Sequence, residues 1–227
     1  MRLILIRHGQ TPHNVTGALD TGFPGAGLTP LGAAQARAVP DALRSEQVAG
    51  IYTSRLVRTQ LTAGPLAQTH GLDLQVRPGL EEVNAGSLEM RSDPDSVHAY
   101  IETLIGWMHG DLARTMPGGV SGEEFHDGYD AALRRIAADH DDDATVAVFS
   151  HGAAIRVYTS LAAQLDPAES TRLWMQNTGM GVLEGHPDNG WELTDWHPEP
   201  LGGNLLDDPA AHDVTGESVA EAEAETR

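Results

Sequence analysis

Two short aliphatic runs, each stopped by a histidine and a glycine, constrain this chain more than any other feature. The first, Leu3 to Ile6, ends at Arg7-His8-Gly9; the second, Thr145 to Phe149, ends at Ser150-His151-Gly152. A run this short and aliphatic reads as a strand buried on both faces, the pattern of a parallel sheet covered by helices. In open α/β sheets ligands collect just beyond the carboxyl ends of such strands. Of the eleven histidines, His8 and His151 each follow such an aliphatic run by one residue and precede a glycine. If the two strands are parallel neighbours, they bring two imidazoles to one crevice. Arg7 sets a fixed cation beside a titratable nucleophile, and Gly9 allows a close approach.

The intervening sequence supplies the helices such a sheet needs. Residues 12–28, rich in Gly, Pro, Thr and Asn, read as an ordered loop near the site, with Asn14 best placed to donate to a ligand. Thr29-Pro30 has the residue types of an N-cap and first helical position, and Pro40 is expected to kink the helix that follows. Gly50 to Thr53 reads as a strand, followed by a helix starting at Ser54. Arg55 and Arg58 share a face of its first turn, where two cations oppose the helix dipole, so an anionic group is expected to compensate them. Leu72 to Val76 reads as a brief strand, 79–90 as an acidic loop and 94–113 as a helix. Ser121 with Glu124 forms a capping box for a helix to about Asp139. A helix over 153–165 and an antiparallel hairpin across Pro187-Asp188-Asn189-Gly190 complete the pattern. The acids of 139–143 read as a solvated turn, since their spacing sets no metal geometry.

With 227 residues the chain fits one sizeable domain. Absence of cysteine removes disulfides, thiolate metal sites and cysteine nucleophiles, and suits a cytoplasmic protein. No run approaches membrane-spanning length and the first residues do not make a signal peptide. A net charge of −19 repels nucleic acid and anionic membranes, so an anionic ligand needs a local cationic pocket. Residues 207–227 hold seven acids, one arginine and no aromatic, the composition of a solvated tail that is dispensable for chemistry. The expected division is therefore a domain over 1–206 and an acidic, disordered tail over 207–227. Oligomeric state is not legible.

These residues together resemble the histidine phosphatase superfamily, the phosphoglycerate mutase-like proteins, on its cytoplasmic branch. LILIRHGQTPHN resembles the family signature, with Arg7, His8, Gly9, Thr11 and Asn14 in place, and LTPLGAAQA its next helix start. SRLVRTQLTA is similar to the segment with a second phosphate-binding arginine, at Arg58 rather than Arg55. LEEVNAG aligns Glu82 with the family's acid, VAVFSHG supplies His151, and PGGVSGEEF resembles a PGG-Glu-Ser element with Val120 in place of the Glu. The resemblance covers about residues 1–196. It implies an α/β three-layer sandwich with a mostly parallel central sheet, and a metal-independent phosphomonoester hydrolase needing no cofactor. His8 would carry a covalent phosphohistidine. Arg7, Arg58 and a protonated His151 would surround the phosphoryl oxygens, and Glu82 would serve as general acid and then base. Asn14, Thr11 and Gly152 would line the substrate side.

Two other readings carry over. A bisphosphoglycerate-dependent mutase would need an extra cationic segment with paired arginines and a proline run between the Glu loop and the second His strand. Residues 83–144 have only Arg91, Arg114, Arg134 and Arg135 and no such run, which favours hydrolysis. A non-catalytic phosphate-binding protein is the alternative from another class. The substrate is expected to be a small phosphorylated metabolite of unspecified kind. Arg55 has two readings, a contact to a second anionic group or a solvated position.

Overall fold

The computed structural model describes residues 1–216. Its centre is a six-stranded sheet of β1 (Arg2–Arg7), β2 (Val48–Thr53), β3 (Leu74–Val76), β4 (Thr145–Ser150), β5 (Met180–His186) and β6 (Gly190–His197), in the spatial order β3-β2-β4-β1-β5-β6. The first four strands in that order run parallel, and the β5–β6 hairpin adds antiparallel to β1. Side chains alternate along each central strand. Leu3, Leu5, Val146 and Val148 enter one core, whereas Ile4, Ile6, Ala147 and Phe149 enter the other. All eight are at most 1% exposed. Each such aliphatic or Phe side chain contributes about 1.5–3 kcal/mol over leaving it in water, so a one-residue slip would be costly.

The first core is closed by α5 (Gly122–Ala138) and α6 (Gly152–Ala162), through Tyr129, Leu133, Ile136, Ile155 and Tyr158. The second is closed by α2 (Pro30–Ala42) and α3 (Val57–His70), through Val39, Ala63 and Leu66. Further out, α4 (Pro94–Met108) lays Tyr100, Leu104 and Trp107 over Ala153 and Val157 of α6. This is the expected α/β sandwich, its sheet mixed at one edge. No helix among the described residues is long and apolar enough to cross a membrane.

Local expectations fare unevenly. The Ser121/Glu124 capping box and the hairpin across residues 187–190 are present. The segment expected as a loop after β1 contains a short helix, α1 (Pro12–Thr16), because Thr11 and Asn14 cap it reciprocally. Helix α3 begins at Val57, not at Ser54, whose hydroxyl is engaged by His151 and Thr59. Helix α2 continues through Pro40 to Ala42, and α4 stops at Met108.

Candidate active site

The register of the sheet makes the site. Arg7 pairs with Ser150 across the parallel β1–β4 ladder, so the next residues, His8 and His151, leave adjacent strand ends together. Their rings lie 5.2 Å apart, centroid to centroid, and both are buried. The Nδ1–H of His8 is donated to the Gly9 carbonyl at 2.8 Å, which leaves Nε2 with its lone pair, the form an in-line nucleophile needs. Burial first, then the charges of Arg58 and Arg7, hold the His8 pKa well below its ordinary 6.5. The ring is thus neutral at pH 7.

Arg7 is fully buried, and Arg58 is 2% exposed. The anion expected to compensate the first turn of α3 is Asp20, whose carbonyl accepts from Arg58 Nη2 at 2.8 Å and whose carboxylate lies 3.5 Å from Nη1. Arg55 is compensated separately, by Glu81 at 2.7 Å on the surface, with its side chain 54% exposed. Arg55 therefore belongs to a solvated pair outside the cluster. Burial, followed by Arg58, His8 and Arg7, also holds His151 well below 6.5. It is neutral at pH 7, unlike the cation implied by the resemblance; a phosphate dianion among the same groups would push it back up.

Glu82 and Glu81 diverge as neighbours in an extended loop must. Glu81 turns outward to Arg55, whereas Glu82 is 5% exposed and sits at the amino end of α6. Its carboxylate accepts N–H bonds from Ala154 at 2.8 Å, Ala153 at 3.3 Å and Val83 at 2.9 Å. Burial raises its pKa and outweighs the opposing pull of those amides and of Arg58 and Arg7. A carboxyl shifted upward beside cations suits proton transfer near neutral pH.

Asn14 and Thr11 divide the labour of one loop. Thr11 caps α1, and its N–H and hydroxyl both reach Asn14 Oδ1, at 2.9 and 3.0 Å. With that oxygen occupied, the Asn14 amide N–H₂ points into the cluster. Gly152 is needed for space, since a Cβ there would stand 2.9 Å from Arg7 Nε. Three participants escaped the sequence reading. Asn177 donates to the His8 carbonyl at 3.1 Å and to Asn14 Oδ1 at 3.3 Å. Buried Arg156 projects from α6, one turn beyond Gly152, and burial followed by the repulsion of Arg7 lowers its pKa to about 10. Asp213 ion-pairs with Arg7 at 2.5 Å.

Asp213 corrects the expectation for the tail. Residues 207–216, read as the start of a solvated segment, pack on the site, while 217–227 lie outside the described residues. Composition failed because it counts apolar area, and this stretch is held by ionic and backbone contacts to buried groups it could not reveal. Among the described residues, no group of three or more His, Asp or Glu is placed to hold a metal ion.

The chain is 37% identical over 214 residues to the PE-PGRS family protein PE_PGRS11 of Mycobacterium tuberculosis, a match covering 87% of this chain but 36% of that protein. It is 28% identical to a probable phosphoglycerate mutase, GpmB, of Yersinia enterocolitica, over 94% of this chain and 99% of the relative. A mycobacterial glucosyl-3-phosphoglycerate phosphatase in complex with VO3 superposes with a TM-score of 0.74 at 25% identity, over 87% of this chain and 99% of its own. The profile of the histidine phosphatase superfamily, branch 1, matches residues 3–198. With paired strand-end histidines set among buried arginines, the chain belongs to that superfamily.

Proposed function

We propose that this protein is a phosphomonoester hydrolase that works through a phosphohistidine on His8 and needs no metal. The observation that carries the reading is the neutral, buried His8, its Nδ1–H tied to Gly9 and its Nε2 lone pair left for attack beside two buried arginines. Nε2 attacks phosphorus as the ester oxygen leaves, Arg7, Arg58 and the Asn14 amide hold the equatorial oxygens, and Glu82 gives its proton to the departing alkoxide. Glu82 then takes a proton from water as water displaces His8 from phosphorus, releasing inorganic phosphate. His151, protonated once the dianion is bound, adds positive charge on the far side. Arginines thus do the charge neutralisation that metal ions do in other phosphoryl-transfer sites.

The substrate proposed is a small phosphorylated metabolite, and the setting proposed is the cytoplasm. A rapid quench of enzyme turning over an aryl phosphate tests the chemistry. Acid-labile, base-stable phosphate should appear on the wild type and be absent, with activity, from His8→Ala. Labelling that persists in His8→Ala would end the assignment.

A further inference from the structure

The carboxylate of Asp213 lies where the reading above puts a phosphoryl group. Both of its oxygens face the fork of Arg7, Oδ2 at 2.5 Å from Nη1 and Oδ1 at 2.6 Å from Nη2, and Oδ1 also accepts from Asn14 Nδ2 at 2.9 Å. Two-pronged pairing with a guanidinium plus one amide donor is the contact set a phosphate would use. The neighbouring residues fasten the segment down. Thr215 Oγ1 accepts from Arg7 Nη2 at 2.9 Å, the Thr215 carbonyl from Arg156 Nη1 at 3.3 Å, and the Gly216 carbonyl from Met175 N at 2.8 Å. At the outer end, Gln10 Nε2 donates to Asp208 at 2.8 Å. A cavity of about 350 Å³ lies between this segment and the body, walled by Gln10, Gln35, Trp174 and Gln176 on one side and by Asp207 and Asp208 on the other.

We infer that residues 207–216 are an internal competitor of the substrate, with the Asp213 carboxylate standing in for phosphoryl oxygens at Arg7 and Asn14. The inference rests on the reading of those residues as the phosphate cradle. Two oxygens cannot share the Arg7 fork with a phosphate, so the ester and the segment exclude one another. The segment is suited to release, for it forms no helix or strand and its apolar anchor is Val214, packed against Val97 and Ile101, the other fastenings described above being polar. An internal competitor raises the apparent dissociation constant by the reciprocal of the open fraction, and charge-assisted contacts of this strength hold that fraction at roughly one in ten to one in a hundred.

The test uses inorganic phosphate as the probe, with equilibrium binding and hydrogen exchange on the full chain, a chain ending at Leu206, Asp213→Asn and Asp207→Asn. Phosphate should speed amide exchange in 207–216 of the full chain. The shortened chain and Asp213→Asn should bind phosphate roughly ten- to a hundredfold more tightly. Asp207→Asn, which removes an equal charge nearby, should stay close to the full chain. Protection of 207–216 that persists at saturating phosphate overturns the proposal, as does an equal gain from Asp207→Asn and Asp213→Asn, which would mark a general field effect. Should the shortened chain fail to fold, Asp213→Asn decides alone. Equal binding by the full chain and Asp213→Asn overturns the competitor and leaves the cradle standing, whereas phosphate bound by no form overturns the cradle itself.

Discussion

Arg58 donates its Nε–H to Nδ1 of His151 across 3.3 Å, while Nε2 of the same ring meets Ser54 Oγ at 2.8 Å. Because a guanidinium can only donate, Nδ1 is the acceptor and the ring proton sits on Nε2, given to the serine oxygen. One arginine thus supplies charge to the cradle and sets the tautomer of the second histidine. Arg58→Lys should leave the melting temperature nearly unchanged but lower kcat/KM by about a hundredfold to a thousandfold, the usual loss when a fixed donor to developing charge is removed. Ser54→Ala should cost much less. Steady-state kinetics beside thermal melts would check both, and a near-native Arg58→Lys would remove Arg58 from the cradle.

The divergence of Glu81 and Glu82 predicts opposite responses to charge removal. Glu82→Gln should lose about a hundredfold to ten-thousandfold in turnover of alkyl phosphates, whose alkoxide needs a proton, and much less in the burst phase with p-nitrophenyl phosphate. Glu81→Gln breaks an exposed pair with Arg55 and should be mild with both substrates. Equal burst-phase losses for both leaving groups would point to another acid.

Hydrolysis and isomerisation are separated by the fate of the phosphoryl group. From 3-phosphoglycerate the enzyme should release phosphate to water, with little conversion to 2-phosphoglycerate even when bisphosphate primer is added. Phosphorus NMR of the reaction follows both outcomes, and primer-dependent isomerisation outrunning phosphate release would make the GpmB likeness the better guide.

Acid should destabilise the fold through its two histidines. Their folded pKa values are lowered, so below 6.5 the unfolded chain binds protons that the native site refuses, and stability falls as pH drops toward the folded values. Each group can contribute about 1.4 kcal/mol per pH unit in that window. Glu82, shifted upward, acts with the opposite sign above 4.5, where the native state holds the extra proton. Denaturant titrations from pH 7 to 5 should show the loss, and His8→Gln should flatten the slope. A slope unchanged in His8→Gln would show that His8 titrates normally.

Much of this site could be read in one dimension because strand pairing converts sequence into space with few choices. Once Leu3–Ile6 and Thr145–Phe149 are parallel neighbours, His8 and His151 must meet, and alternation in a loop separates Glu81 from Glu82. Helix periodicity was a poorer guide, for α3 starts at Val57, so Arg55 precedes the helix and pairs with Glu81 at the surface while Arg58 alone turns inward. What the sequence could not decide depends on contacts between distant segments. Asp213 reaches Arg7 across 206 residues of chain and Asn177 reaches His8 across 169, with no local pattern to announce either. The protonation of His151 also belongs to the tertiary structure, since desolvation and the summed field of Arg58, His8 and Arg7 exist only when the strands and α3 are packed. The chain alone thus determined the fold and the meeting of its two strand-end histidines; folding decided which groups are charged and brought Asp213 to the fork of Arg7.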